Sequence, residues 1–234
     1  MGTHDAKIVP GAFSHIGDNG TRESSLTKGE QTRRRILEKA AVLFNQRGFE
    51  GCAMSELMEA TGLEKGGIYK HFASKEELAL EAFRFAADSA LEARVGDLEA
   101  IDGALPKLRT IIERFLTEPS PIPGGCPLLN AAVDTDDGNP ALRKLARASF
   151  VEWRRRIAAI VEQGIASGEL RHTADPVQVA DAMIASIEGG LVLSRILGNR
   201  SPLEHARAPL ESMLNQLDSS PRDKHPARNR SAAR

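Results

Sequence analysis

Between residues 27 and 217 the apolar positions recur at intervals of three and four, and β-branched runs bounded by hairpin turns are missing, so the chain reads as helices throughout. Ile36, Leu37, Ala40, Ala41, Leu43 and Phe44 form the first stripe, which begins behind a capping box of Thr27 and Glu30 and stops at Arg47-Gly48. A short second helix over residues 54–60 breaks at Gly62, and a third runs over residues 64–72. Ser74-Lys75-Glu76-Glu77 is another capping box, opening a fourth helix toward Val95. Leu108, Ile111, Ile112, Phe115 and Leu116 mark a helix over residues 106–117, which the Pro- and Gly-rich run 119–125 ends. After a short apolar segment at 126–133 and acidic residues at 134–137, a long helix is expected from about Asn139 to Ser167, closed by Gly168. Asp175-Pro176 and Ser201-Pro202 each set a cap before a helix-starting proline, predicting two more. The expected fold is all-α with about nine helices, and residues 1–26 and 218–234, which lack an apolar face, are expected to be disordered.

Helix, tight glycine turn and helix over residues 48–72 is the arrangement of a helix-turn-helix, whose second helix lies in the DNA major groove while the first crosses the backbone. Leu57, Ala60, Leu63 and Ile68 are spaced to hold the two helices together, leaving Glu64, Lys65, Gly67, Lys70 and His71 for the outer face. A glycine inside a helix costs roughly 1 kcal/mol relative to alanine. Gly66-Gly67 therefore asks for a reason, either close approach to a duplex or close approach to neighbouring helices. Read singly, Tyr69 and Phe72 are core, His71 is a packed or solvated histidine and Arg33-Arg34-Arg35 is a solvated face; together they favour DNA.

From Thr32 through Leu78 the chain resembles the N-terminal domain of TetR-type transcriptional regulators, in Gly48-Phe49, Ala60-x-Gly62-Leu63, Lys65-Gly66-x-Ile68-Tyr69-x-His71-Phe72 and Ser74-Lys75-Glu76-x-Leu78. The resemblance implies a third helix in the major groove, with Lys65, Tyr69, His71 and Lys75 touching phosphates or positioning that helix. With Lys28 and Arg33 of the first helix, the candidate DNA-contacting set is Lys28, Arg33, Glu64, Lys65, Gly66, Gly67, Tyr69, Lys70, His71 and Lys75. The chain departs from the family where Ser or Thr is usual and Cys52 and Ala53 stand instead, so a hydroxyl that caps the second helix is missing. Ser55 replaces it only if that helix starts later.

The formal net charge of −1 over 234 residues argues mildly against nucleic acid until it is divided. Residues 27–75 carry +3, residues 76–217 carry −6, residues 218–234 carry +3 and residues 1–26 carry −1. The basic share thus sits in the helix-turn-helix unit, as counterion release on phosphate binding requires. The expected domains are a reading head over 27–75 and a ligand-binding and dimerisation body over 76–217. Two cysteines exclude a disulfide scaffold, and no run reaches the roughly 18 to 20 consecutive apolar residues that span a bilayer. A cytoplasmic protein without a membrane partner is the expectation.

In the helix from Asp175 to about Leu197, Ala180, Ile184, Ile187 and Leu191 occupy one side while Val179, Met183, Gly190, Leu193 and Leu197 occupy another, so two covers are needed. The last helix repeats Leu203, Ala206, Leu210, Met213 or Leu214, and Leu217 at near-heptad spacing. The expectation, which the family resemblance shares, is a homodimer whose interface holds Met183, Gly190, Leu193, Leu197, Leu203, Ala206, Leu210, Met213, Leu214 and Leu217; a seam within one chain is the alternative. Phe115, Cys126, Leu129, Asn130, Trp153, Met183 and Ile187 are the candidate lining of a small-molecule pocket, with the fourth helix coupling pocket to head. Cys126 enters a helix at a Gly-Gly-Cys-Pro corner, which reads either as a thiol activated by the helix dipole or as an inert buried cysteine.

These features predict a ligand-responsive, sequence-specific regulator that binds a palindromic double-stranded operator, and the family resemblance implies that it leaves the operator when a small-molecule effector binds. The alternative is a repressor that senses electrophiles or oxidants through Cys126. HExxH, GxSxG, P-loop and GxGxxG patterns are missing, and His4, His15, His71, His172, His205 and His225 are scattered, so no enzyme, metal or cofactor is expected. A non-specific architectural DNA binder fits the large apolar C-terminal half poorly.

Overall fold

The computed structural model describes residues 26–134 and 139–220. The disorder expected for 1–26 and for the tail therefore falls almost wholly outside the described residues. The helices are α1 (Lys28–Arg47), α2 (Met54–Thr61), α3 (Lys65–Tyr69), α4 (Lys75–Val95), α5 (Ala104–Thr117), α6 (Pro127–Asp134), α7 (Pro140–Ala166), α8 (Pro176–Leu197), α9 (Ser201–His205) and α10 (Arg207–Leu217), with a 3-10 turn at Leu98–Ala100. The described residues form no strand beyond one isolated bridge between Leu170 and Asp218, so the architecture is all-α.

Local chemistry explains the starts of α1, α4, α7 and α8. Thr27 Oγ1 accepts the Glu30 N–H at 3.3 Å while the Glu30 carboxylate accepts the Thr27 N–H at 2.8 Å, completing the capping box of α1. Ser74 caps α4 by accepting the Glu77 N–H at 3.1 Å, and Asn139 and Asp175 cap α7 and α8 ahead of their prolines. α5 begins earlier than the sequence suggests because the distant Glu169 carboxylate accepts the N–H groups of Ala104 and Leu105 at 2.5 and 2.9 Å. α3 is shorter than expected, giving way after Tyr69 to a turn in which His71 N–H reaches Ile68 O at 3.0 Å.

Three apolar cores result, and α4 runs through all of them. Leu78, Ala82 and Ala86 join Ile36, Ala40, Leu57, Ile68 and Phe72 in the first, beneath the helix-turn-helix. Leu91 and Val95 join Leu108, Ile112, Trp153, Ile157 and Met183 in the second, and Ala79, Phe83 and Ala87 meet Phe49, Ala131 and Leu142 between the two. A boundary drawn at residue 75 therefore cuts through the first core. The body also continues past 217, since Ser219 N–H donates to Glu169 O at 3.0 Å.

Of the residues expected to pair with a second subunit, those buried within their own chain are corrected by its packing. Leu203, Leu210 and Leu214 are at most 1% exposed and belong, with Ala206, to the body core of their own chain. Met213 and Leu217 are partly buried against the same core. Arg109 to Glu211 at 3.0 Å and Arg207 to Glu113 at 2.5 Å clamp α10 onto α5. Met183 is fully buried, and a Cβ on Gly190 would stand 2.9 Å from the Leu203 Cα, so that position is filled by close passage of α9. An amphipathic period reveals a covered face without revealing whose chain covers it. Leu193 and Leu197 do stay on the surface, together with Ile196. By length and composition α8 is apolar enough to cross a membrane, yet Val179, Ala180, Met183, Ile184 and Ile187 bury one side of it in the core.

Candidate functional site

α2, a turn and α3 build the helix-turn-helix. Gly62 sits at φ 67° and closes α2 in the left-handed conformation that favours glycine, its N–H returning to Met58 O at 2.9 Å. α2 starts at Met54 with Ala53 as its cap, so Ser55 lies inside the helix and does not replace the missing hydroxyl. Glu56 makes only the reciprocal bond of a capping box, accepting the Ala53 N–H at 2.9 Å, and it is itself held by Arg47 at 2.8 Å. Ile68 and Phe72 are buried under α3, which turns Glu64, Lys65 and Gly66 outward, with Lys70 exposed just past its end.

Gly66 has no intramolecular reason to be glycine: an added Cβ meets nothing within 4 Å, and its φ is not positive. Gly67 differs, because a Cβ there would rest on the Leu63 side chain at 3.5 Å, an ordinary contact. Lys65 Nζ stands 5.8 Å from the Tyr69 ring centroid, and Tyr69, Gly67 and His71 are partly exposed. Lys28 is exposed at the start of α1.

Two candidates are engaged inside the chain. Arg33 pairs with Glu81 of α4 at 2.5 Å and lies over the Phe72 ring at 4.6 Å, bracing α1 against α4 and the turn after α3. Lys75 donates to Phe49 O at 2.9 Å and stacks over the Phe49 ring at 4.7 Å. Nothing in the local sequence marks either partner, since both are brought in by tertiary packing.

In the body, a cavity of ≈ 210 Å³ lies between α4, α5, α7, α8 and the loop before α6. Phe115, Cys126 and Trp153 of the predicted lining border it, with the Phe115 and Trp153 rings stacked at 5.6 Å. Met183 and Ile187 are instead fully buried core, and neither Leu129 nor Asn130 lines the cavity. The sequence reading missed Leu91, Arg94, Leu128, Leu191 and Arg200, which do. Arg94 is buried under four bonds, from Nη1 to Arg114 O at 2.7 Å and Glu118 Oε2 at 3.3 Å, and from Nη2 to Glu118 O and Pro119 O at 3.1 and 3.0 Å.

The surroundings of Cys126 disfavour its thiolate. Burial pushes its thiol well above the ordinary range, and the adjacent Glu188 carboxylate pushes the same way. Glu188 is itself raised by its burial, and its buried oxygens have no partner of hydrogen-bonding geometry; Trp153 Nε1 is a second such orphan. Both cysteines are free thiols.

Between body and head lies a polar joint. Asn45 of α1 donates to Pro123 O and Gly125 O at 3.0 and 3.1 Å, and Arg195 of α8 donates to Asn130 Oδ1 at 3.0 Å. Asp134, at the end of α6, accepts the Phe49 N–H at 2.8 Å. Gly124, at φ 113°, leaves room for Asn45, whose carbonyl oxygen an added Cβ would approach to 2.9 Å.

Comparison with known proteins matches two stretches of the chain. Residues 36–82 match the family described as "Bacterial regulatory proteins, tetR family", and residues 104–210 match "Tetracyclin repressor-like, C-terminal domain". A TetR transcriptional regulator from Chloroflexus aurantiacus J-10-FL is 44% identical with a TM-score of 0.78, covering 82% of this chain and 98% of that one. A TetR-family regulator from Cytophaga hutchinsonii is 32% identical with a TM-score of 0.75, covering 84% and 99%. The HTH-type transcriptional repressor DhaR of Mycobacterium sp. strain GP1 is 27% identical over 173 residues, 74% of this chain and 86% of that protein.

Proposed function

The chain belongs to the TetR family of transcriptional regulators, and we propose that its head binds a palindromic operator and lets it go when a small molecule fills the body cavity. A ligand-responsive DNA-binding regulator is what the family comprises; the residue roles and the direction of the response are the proposal. Its main support is Gly66, an exposed glycine in the recognition helix with neither conformation nor neighbour to account for it. A duplex pressed against α3 accounts for it. In this reading Lys28, Lys65, Tyr69, Lys70 and His71 contact phosphate, Glu64, Gly66 and Gly67 face the bases, and Arg33 and Lys75 hold the head together rather than touch DNA.

Two heads are needed to read a palindrome, and α8 offers the surface for pairing them. Ala182, Ala185, Gly189, Leu193 and Ile196 follow one another at helical spacing on its exposed side, and Leu197 adds to their apolar end. Residues 27–75, with Leu78, Ala82 and Ala86 of α4 completing their core, are then the reading unit, and the rest of the chain to residue 220 is the sensing and pairing unit, joined to it through α4 and the Asn45–Asn130 contact.

Selection of binding sites from random double-stranded DNA tests this reading. Recovery of a palindrome with half-sites about one helical turn apart is expected; a pool with no enrichment sinks the operator reading.

A further inference from the structure

Resting on the cavity as the effector site, the charge around it identifies the class of molecule it takes. The body carries an excess of acidic residues, yet the charged side chains lining the cavity are Arg94, Arg200 and Glu118. Glu118 is already paired with Arg94, and half of its side chain faces solvent. Burial works most against the Arg94 charge, Glu118 supports it, and Arg114 and Arg200 both work against it. The result is a positive site that the chain itself leaves undercompensated.

Donor geometry points the same way. Arg94 spends its Nη groups on the bonds described above, so it offers mainly charge, from a buried position over the Phe115 ring at 5.0 Å. Arg200 spends one donor, on Leu116 O at 2.5 Å, out of the five that a guanidinium carries. Arg200 is exposed, as are Glu118, Ser120 and Pro121, so these residues form the mouth, while Trp153 and Leu91 form the buried interior. Glu188, whose carboxyl burial raises above its ordinary value, is not among the residues that line the cavity.

We infer that the cavity takes a small apolar carboxylate, its anionic group held at the mouth by Arg200 over the charge of Arg94 and its apolar body laid against Trp153, Phe115, Leu91 and Leu128. A guanidinium fork matches a carboxylate in shape as well as charge. The stacked rings and leucines favour a hydrocarbon chain or ring over a polar metabolite.

Trp153 is the only tryptophan, so the intrinsic fluorescence of the full chain reports on the cavity wall. The probes are octanoate and cyclohexanecarboxylate, their primary amides as uncharged counterparts, and choline and octyltrimethylammonium as cations. Saturable responses to the carboxylates, about tenfold or more tighter than to amide or cation, are expected. Arg200→Gln is expected to erase that preference and Arg200→Lys to keep most of it, each variant first checked for an unchanged thermal melt. Equal or tighter binding of amide or cation, or no carboxylate response into the low millimolar range, overturns the inference. Operator release is read on the same samples. Carboxylate binding without release supports the ligand class while counting against the effector reading; release by a cation with no carboxylate response supports the effector reading and overturns the class.

Discussion

The side-chain amide of Asn130 donates to both the carbonyl oxygen and Oδ1 of Asn45, each at 2.9 Å, and to Gly124 O at 3.0 Å. One amide thus joins α6 and the cavity-side loop to the first helix of the reading head. Pro121, Gly125 and Cys126 of the same stretch border the cavity, so an occupant that displaces the loop pulls directly on α1. This gives a second route beside α4. Asn130→Ala strands acceptors on Asn45, which is 9% exposed, at a cost of about 1–3 kcal/mol. The expected outcome is a lower Tm with ligand affinity by Trp153 fluorescence nearly unchanged, and a smaller ligand-induced change in operator affinity. An unchanged response would remove this route.

Gly66→Ala separates folding from DNA binding. Alanine in a helix is favoured over glycine by about 1 kcal/mol, and nothing in the chain obstructs the new methyl group. The Tm is expected to hold or rise while operator affinity falls about tenfold or more, read by thermal melting beside fluorescence anisotropy. An alanine variant that binds as well as the parent would show that the duplex does not approach this position.

Lys70→Ala and Arg33→Ala should differ in salt dependence. Removing a phosphate contact lowers the slope of log K against log salt by about one, so Lys70→Ala is expected to flatten it. Arg33 is paired with Glu81 and stacked on Phe72, so its loss should cost stability of about 0.5–1 kcal/mol, as for other half-exposed pairs, and leave the slope unchanged. A flattened slope for Arg33→Ala would return that residue to the DNA surface.

The contrast between these two residues shows what the sequence made legible. Capping boxes, glycine stops and helical periods are local, and Thr27, Ser74, Asn139 and Asp175 act as their neighbours suggest. The helix-turn-helix followed from the same signals. Partnership across the fold left no local trace: Arg33 could not be assigned to Glu81, 48 residues away, nor the start of α5 to Glu169. The seam of Leu203, Leu210 and Leu214 was correctly read as buried and wrongly given to a second subunit, because period alone does not name the partner. Phe115 and Trp153 were found at the cavity as aromatics on central helices, whereas Arg94 and Arg200 were not among the candidates, because their place at the cavity is set by packing across the fold.

Glu188 and Cys126 carry a pH signature. The folded chain holds the Glu188 carboxyl above its ordinary value through burial, so it binds a proton more tightly than the unfolded chain does. Stability from this group is therefore full below the unfolded value near 4.5 and is lost as pH rises through the folded value. Glu188→Gln should raise the Tm at pH 7, by about 2–4 °C per kcal/mol recovered, and give a smaller gain near pH 4.5. The Cys126 thiol is raised in the same sense, so its alkylation by iodoacetamide at pH 8 should be much slower than that of a free thiol. Rapid modification of Cys126, with loss of operator binding absent from Cys126→Ser, would restore the thiol-sensing alternative.

The pairing surface yields the sharpest oligomeric test. Leu193, Ile196 and Leu197 are 51%, 73% and 62% exposed at the end of α8, a cluster of large apolar side chains that a monomer leaves in water. Toward the start of the helix the same side narrows to Ala182, Ala185 and Gly189, where a Cβ on Gly189 meets nothing in its own chain, so a second helix can approach closely there. Ile196→Glu places a charge in the apolar end of that seam and touches no core residue. Light scattering after size exclusion is expected to show a dimer for the parent and a monomer for the variant at micromolar concentration, with the melt of the head core preserved. Operator affinity should fall steeply, because a single head reads one half-site. Leu210→Glu, by contrast, buries a charge in the body core at a residue 1% exposed, and should unfold the body rather than separate folded monomers. If Leu210→Glu gave a folded monomer and Ile196→Glu stayed dimeric, the interface would lie on α10 after all.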